Sequence, residues 1–178
     1  LAATVTAASL TALPATAAQV PTGVKINAKQ QMVINNGTEV ATLDPQKNKG
    51  VPENKVMVNV LESLVGTDNQ GQLVPGVAKS WQQQQFKVWT FTLRDDAKWS
   101  NGDPVTAADF VWSWQRLGDP KTASPYASLL HDAHLLNADA VIAGKLPASE
   151  LGVKALDDRH LQVTLSAPVP WFLAMAAN

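Results

Sequence analysis

Apolar and polar side chains alternate most cleanly at residues 88–94, where Trp89, Phe91 and Leu93 interleave with Thr90, Thr92 and Arg94. This is the period-two pattern of a strand with one buried face. Asp95 and Asp96 end the run, and Ser100-Asn101-Gly102-Asp103-Pro104 follows as a turn cluster in which Asn and Gly accept positive φ and Pro fixes the chain direction. Thr106, with Asp109 three residues on, is a shorter-armed capping box and predicts a helix start. Phe110, Val111, Trp114 and Leu117 then recur at helical spacing, which places Ser113, Gln115 and Arg116 toward water.

Weaker patterns fill in the rest. Residues 31–35 read as a short strand, and a loop runs from Gly37 through Leu43-Asp44-Pro45 and on over residues 48–53. Val56, Val60, Leu61 and Leu64 predict a helix over 54–65, with turn chemistry at 67–71 and a short extended pair at 72–74. Residues 77–81 and 86–94 read as a hairpin whose polar tip is the glutamine run 82–85. Further helices are predicted over 126–131, 136–143 and 171–177. A hairpin is predicted from 151–156 and 160–165 around Asp157-Asp158. Strands and helices without regular βαβ alternation indicate a mixed α/β (α+β) fold.

The first eighteen residues carry no charge and are mostly Ala, Leu, Val and Thr. With Ala15-Thr16-Ala17 matching the small-x-small cleavage rule, residues 1–18 read as the remnant of a signal peptide, although no initiator Met or basic start is present. The expectation is therefore an exported protein. There is no Cys, so neither a disulfide framework nor a lipid-anchoring Cys at the cleavage point is available. Fourteen basic residues are scattered singly among fifteen acidic ones. Nucleic acid and anionic membrane surfaces, which select clustered basic faces, are not expected partners.

Candidate chemistry is sparse. Five of the six Trp (81, 89, 99, 112 and 114) fall close together and could form a stacking platform, but Trp89 and Trp114 lie on the apolar stripes of their elements and read as core. His131 and His134 flank Asp132, yet a zinc site needs three or four ligands and only His160, in a predicted strand, remains. No metal site is expected. Neither is a catalytic residue or a cofactor: there is no Gly-x-Ser-x-Gly elbow, no Cys nucleophile, no converging Ser/His/Asp set and no glycine-rich phosphate loop. The paired acids 95–96 and 157–158 sit at turns, where bonds to backbone account for them.

The run WTFTLRDDAKWSNGDPVTAADFVWSWQR at 89–116 resembles the periplasmic oligopeptide-binding proteins, as do LDP at 43–45, LVPGVAKSW at 73–81 and SPYAS at 124–128. These are solute-binding proteins of family 5, the substrate-binding components of peptide ABC importers. The resemblance runs from residue 19 to 178 and covers only the front of the family's longer chain. It implies a type II-like periplasmic-binding-protein fold, here incomplete. Residues 19–61 would open lobe one, and residues 62–178 would be most of an α/β domain inserted into it. The second lobe, which closes on the ligand by a hinge, would be absent.

That resemblance also implies a function and a set of contacts. The protein would be a periplasmic, monomeric receptor that holds short peptides through their main chain and delivers them to an inner-membrane ABC permease. Val51 sits where a short extended piece pairs with peptide backbone in the family, and Tyr126 where a ring and hydroxyl face the ligand. Lys49 stands where an acidic residue is familiar, which would favour acidic ligand groups. Asn178 stands where oligopeptide binders can carry His, and there the chain is similar to the murein-tripeptide receptors. A murein-tripeptide or dipeptide receptor is thus the near alternative. Outside the class, a secreted hydrolase would need catalytic residues beyond Asn178, and a chaperone-like protein would ignore free peptide termini.

Overall fold

The alternation at 88–94 becomes a strand, β4 in chain order, over Val88–Leu93. In a computed structural model that describes residues 23, 25, 29 and 31–177, it is an inner strand of a four-stranded antiparallel sheet. The expected signal peptide, residues 1–18, and Asn178 lie outside the described residues. The chain divides into two compact units, 1–35 and 36–178. In the first, residues 31–35 do not form the expected strand. Met32, Val33 and Ile34 are all exposed, so the run has no buried face for strand alternation to serve.

In the second unit the elements are helix α1 at Val51–Val60, a two-stranded hairpin of β1 (Val65–Thr67) and β2 (Leu73–Pro75), and β3 at Ala78–Gln84. After β4 come α2 (Ala107–Gly118), α3 (Ser128–Asp132), α4 (Ala138–Ile142) and a 3₁₀ turn at Ala148–Glu150. The last elements are β5 (Val153–Ala155), β6 (His160–Thr164) and α5 (Phe172–Met175). The mixed α/β class is as the sequence predicts. Strand order in the sheet is β3-β4-β6-β5, with Phe91 opposite Leu161 and Trp89 opposite Val163.

One face of this sheet makes the core. Phe91, Leu93, Leu161 and Val163 are fully buried there, joined by Val141 of α4, Leu165 and Val169. The ring of Phe172 in α5 lies 5.5 Å from Trp89 and meets Trp114 edge-on at 6.4 Å, so both tryptophans pack in or against the core as their stripes predict. Helix α2 packs across β5 and β6 through the expected Phe110, Val111, Trp114 and Leu117. Thr106 is its N-cap, and the Asp109 carboxylate accepts the Thr106 N–H at 2.7 Å. The hairpin over 151–165 forms as predicted, with Asp157 Oδ1 accepting the N–H groups of Arg159 at 2.8 Å and His160 at 2.9 Å.

Three boundaries differ from the sequence expectation. The glutamines at 82–84 continue β3 instead of forming the hairpin tip. The turn falls at Gln85-Phe86, both at positive φ (52° and 53°), where Gln83 Oε1 accepts the Phe86 N–H at 2.6 Å. An edge strand tolerates polar side chains on both faces, so the glutamines carry no turn signal. The helix expected over 54–65 starts and ends earlier, because Pro52 and Glu53 suit its first turn. Val65, expected to end that helix, and Gly66 and Thr67, expected to be the stop and the start of a turn, form a strand instead and pair with 73–75 around the turn at 68–72.

Candidate functional site

The segment between Thr38 and Gly50 has little regular structure, and it is held by polar contacts. Glu53, buried in the first turn of α1, accepts the Ala41 N–H at 2.8 Å. That bond, followed by one from its own N–H, holds its carboxyl below the usual range. Asn36 Nδ2 donates to the Pro52 carbonyl at 3.2 Å. The Asp44 carbonyl accepts the N–H groups of Lys47 at 3.0 Å and Asn48 at 3.1 Å, turning the chain after the Leu-Asp-Pro motif.

Side chains then tie this turn to α2. Arg116 donates to both Asp44 oxygens, Nη1 to Oδ1 at 3.0 Å and Nη2 to Oδ2 at 2.6 Å, the bidentate geometry that suits guanidinium and carboxylate. Nη1 also reaches Gln46 Oε1 at 2.6 Å. Buried Gln46 in turn donates Nε2 to the Ser113 carbonyl at 2.6 Å and to its hydroxyl at 3.1 Å. Ser113 and Arg116, read from periodicity as solvent-facing, are thus partly covered by the loop. The Ser124 hydroxyl donates to the Gln46 carbonyl at 2.6 Å and accepts the Tyr126 N–H at 3.1 Å.

Lys49, Val51 and Tyr126, expected to contact ligand, are all exposed. Gln46 and Ser124 connect the loop bearing Lys49 to the segment bearing Tyr126. Val51 is not in an extended piece: Gly50 is the extended N-cap and Val51 the first helical residue. Its N–H is one of the helix-start donors that lack an intrahelical acceptor. Asn178 lies outside the described residues. Sequence reasoning missed Gln46 and Arg116, and no periodic signal marks either.

The other candidates do not converge on this place. His131 Nδ1 pairs with Asp139 at 2.6 Å, which raises the imidazole pKa, and His160 pairs with Asp157. The rings of His131 and His134 are 6.5 Å apart, and among the described residues no group of three metal-ligating side chains gathers. Asp95 pairs with Lys79 at 3.0 Å at the strand end. Trp112 is exposed, its ring 5.8 Å from the Arg116 guanidinium carbon.

The hydrogen bonds from Arg116 hold the Asp44 carboxyl below the ordinary carboxylate range, against the opposing effect of burial. Its folded pKa is therefore below its unfolded one. The resulting stabilisation is complete above the unfolded value and is lost as pH falls through the folded value. Asp44→Asn is expected to destabilise by about 1 kcal/mol at pH 7, a figure reduced for solvent screening. The gap should begin to narrow below about pH 4 and close as pH falls through the lower folded value. Thermal melts of both proteins at pH 7 and pH 3 check this, and a gap that does not change with pH would exclude the ion pair as its source.

Comparison with known proteins places this geometry in a family. Residues 72–178 match the bacterial extracellular solute-binding proteins, family 5 Middle. The chain is 57% identical, over all 178 residues, to the periplasmic oligopeptide-binding protein OppA of Salmonella typhimurium, covering 33% of that protein. It is 48% identical over 162 residues, 91% of this chain, to the periplasmic murein peptide-binding protein MppA of Escherichia coli, covering 30% of it. The crystal structure of Haemophilus influenzae OppA in complex with RPPGFSPFR superposes with a TM-score of 0.81 at 51% identity, over 86% of this chain and 30% of that one. The chain spans about a third of the length of the curated relatives it matches. On this sequence match and this shared fold, the chain belongs to the bacterial extracellular solute-binding proteins of family 5.

Proposed function

We propose that this chain is part of a periplasmic receptor that captures short peptides, chiefly through their main chain, and delivers them to an inner-membrane ABC permease. The observation that carries the reading is 57% identity across the whole chain to a periplasmic oligopeptide-binding protein. Residues 19–61 belong, on this reading, to the opening of lobe one and residues 62–178 to the inserted α/β domain. The complete protein works as a monomer, without nucleic acid, cofactor or catalysis.

Ligand contacts are assigned to the exposed start of α1 and to Tyr126. The Val51 N–H meets a peptide carbonyl from the helix start, where the aligned dipoles favour negative charge. Tyr126 packs its ring on the peptide and donates its hydroxyl. Lys49 favours acidic ligand groups, and Asn178 completes the set. A murein-tripeptide receptor is the second reading, favoured by 48% identity to the murein peptide-binding protein.

Native mass spectrometry of the complete gene product, purified from periplasm and offered a ladder of di- to pentapeptides with Lys-rich, Glu-rich and murein tripeptides, tests both readings. Retention of many peptides, with Glu-rich above Lys-rich, is the expected result. Selective retention of the murein tripeptide would move the assignment to cell-wall recycling. Retention of no peptide would reject peptide capture, and equal retention of the two charged sets would remove the role given to Lys49.

A further inference from the structure

Gln46 is bonded through both its side chain and its main chain. Besides the three hydrogen bonds of its side-chain amide, its main-chain carbonyl accepts the Ser124 hydroxyl and its main-chain N–H bonds Asp44 Oδ1 at 3.1 Å. A buried amide with its groups satisfied contributes little net stability compared with an apolar filling of the same volume, but it fixes geometry, because any shift leaves a buried polar group unpaired. Three stretches far apart in the chain, at 44–46, 113–116 and 124–126, must all be in place for these bonds to form. The two places that such a clamp holds relative to one another are the loop running into α1, with Lys49 and Val51, and the segment carrying Tyr126.

We propose that Gln46, its side chain oriented by Arg116 and its main-chain carbonyl bonded by Ser124, is a positioning residue that sets the spacing between the helix-start donors at Val51 and the ring of Tyr126. This rests on the peptide-binding reading above and makes it specific. The Ser124 hydroxyl is the connecting atom: its proton goes to Gln46 and its oxygen receives the Tyr126 N–H. The Tyr126 carbonyl meanwhile accepts the Leu129 N–H at 3.0 Å, which ties the following turn to the same point. Arg116 touches neither candidate contact and acts only through Asp44 and Gln46, with its fork geometry supplying what a Lys cannot.

The test is a double-mutant cycle in the complete gene product, with tetra-alanine as ligand and calorimetry as readout. Ser124→Ala is expected to weaken binding about tenfold when Tyr126 is present and less than twofold in a Tyr126→Ala background, where there is no ring left to place. Ser124→Thr, which restores the hydroxyl, should return affinity to within about threefold of the parent protein, and Arg116→Lys should behave like Ser124→Ala. Merely structural damage would lower affinity equally in both backgrounds, and that result, or no loss at all, overturns the inference while leaving peptide capture standing. So does Tyr126→Ala binding as tightly as the parent. If the parent protein binds no tetra-alanine or any longer peptide, the underlying reading falls and takes the inference with it. Should Ser124→Ala fail to fold, Arg116→Lys in the same two Tyr126 backgrounds gives the same comparison.

Discussion

Gly152→Ala is expected to destabilise the chain by about 3 kcal/mol, the upper part of the usual range for overpacking. The reason is backbone on two sides. A Cβ built at Gly152 would lie 2.5 Å from the Thr164 carbonyl oxygen and 2.7 Å from Leu136 Cβ, with the Leu136 nitrogen at 3.1 Å. None of these atoms can rotate away, because Gly152 itself bonds both neighbours. Its N–H donates to the Leu136 carbonyl at 2.9 Å, its carbonyl accepts the Thr164 N–H at 2.7 Å, and Leu136 N–H closes the set on the Thr164 carbonyl at 3.0 Å. The approach stitches the 134–136 segment and the start of the last hairpin onto β6, directly beside the buried Leu135 and Leu165. Urea unfolding with an unchanged slope and a lowered midpoint would report the loss. Gly71→Ala is the control: its φ of 77° disfavours Ala, but nothing lies within 4 Å of the added carbon, so it should cost only about 1 kcal/mol. A Gly152→Ala midpoint no lower than that of Gly71→Ala would mean the strands part more easily than this packing implies.

Elements whose pattern is a local consequence of burial were legible in the sequence. β4 and β6 alternate because one face of each meets the core, and α2 announces its start through Thr106 and Asp109 and its buried face through Phe110, Val111, Trp114 and Leu117. Where burial is slight or absent, the pattern fails. The glutamines of β3 look like a loop because an edge strand asks nothing apolar of them, and Met32 to Ile34 look like a strand although no side chain there is buried. Val65 reads as the end of a helix because Leu64 and Val65, both buried, extend an apolar run whose period is ambiguous over so few residues. In the candidate site, Tyr126 and Lys49 drew notice through a resemblance, not through periodicity. Arg116 and Gln46 drew none. On a helix wheel Arg116 faces away from the core, and only a loop some seventy residues earlier, folding back over that side, turns it into an interior contact. Contacts of that sequence separation between polar residues leave no local trace.

The 178-residue chain by itself is expected to bind tetra-alanine more weakly than about 1 mM, against about 1 μM for the complete gene product, values that correspond to about −4 and −8 kcal/mol. The expectation follows from how association costs divide. Losing translational and rotational freedom costs roughly 4–15 kcal/mol once, however many contacts are made. Taking about 8 for that cost, micromolar binding needs about 16 kcal/mol of gross contact energy, and a surface supplying half of it would only cancel the cost. The proposed contacts here are a surface of that kind. Val51, Lys49 and Tyr126 are each exposed to solvent, so a peptide resting on them keeps water on its other face and its hydrogen bonds stay in competition with solvent. On the proposed reading, enclosure between two lobes would remove that water and add the second set of contacts in the same event. Calorimetry at millimolar peptide, on protein whose near-ultraviolet tryptophan signal confirms a packed core around Trp89 and Trp114, reads the difference directly. A dissociation constant below about 10 μM for this chain alone would place nearly all the binding energy on its own residues. In that case the helix start and Tyr126 would form a complete site, and closure would serve to retain the peptide instead of creating its affinity.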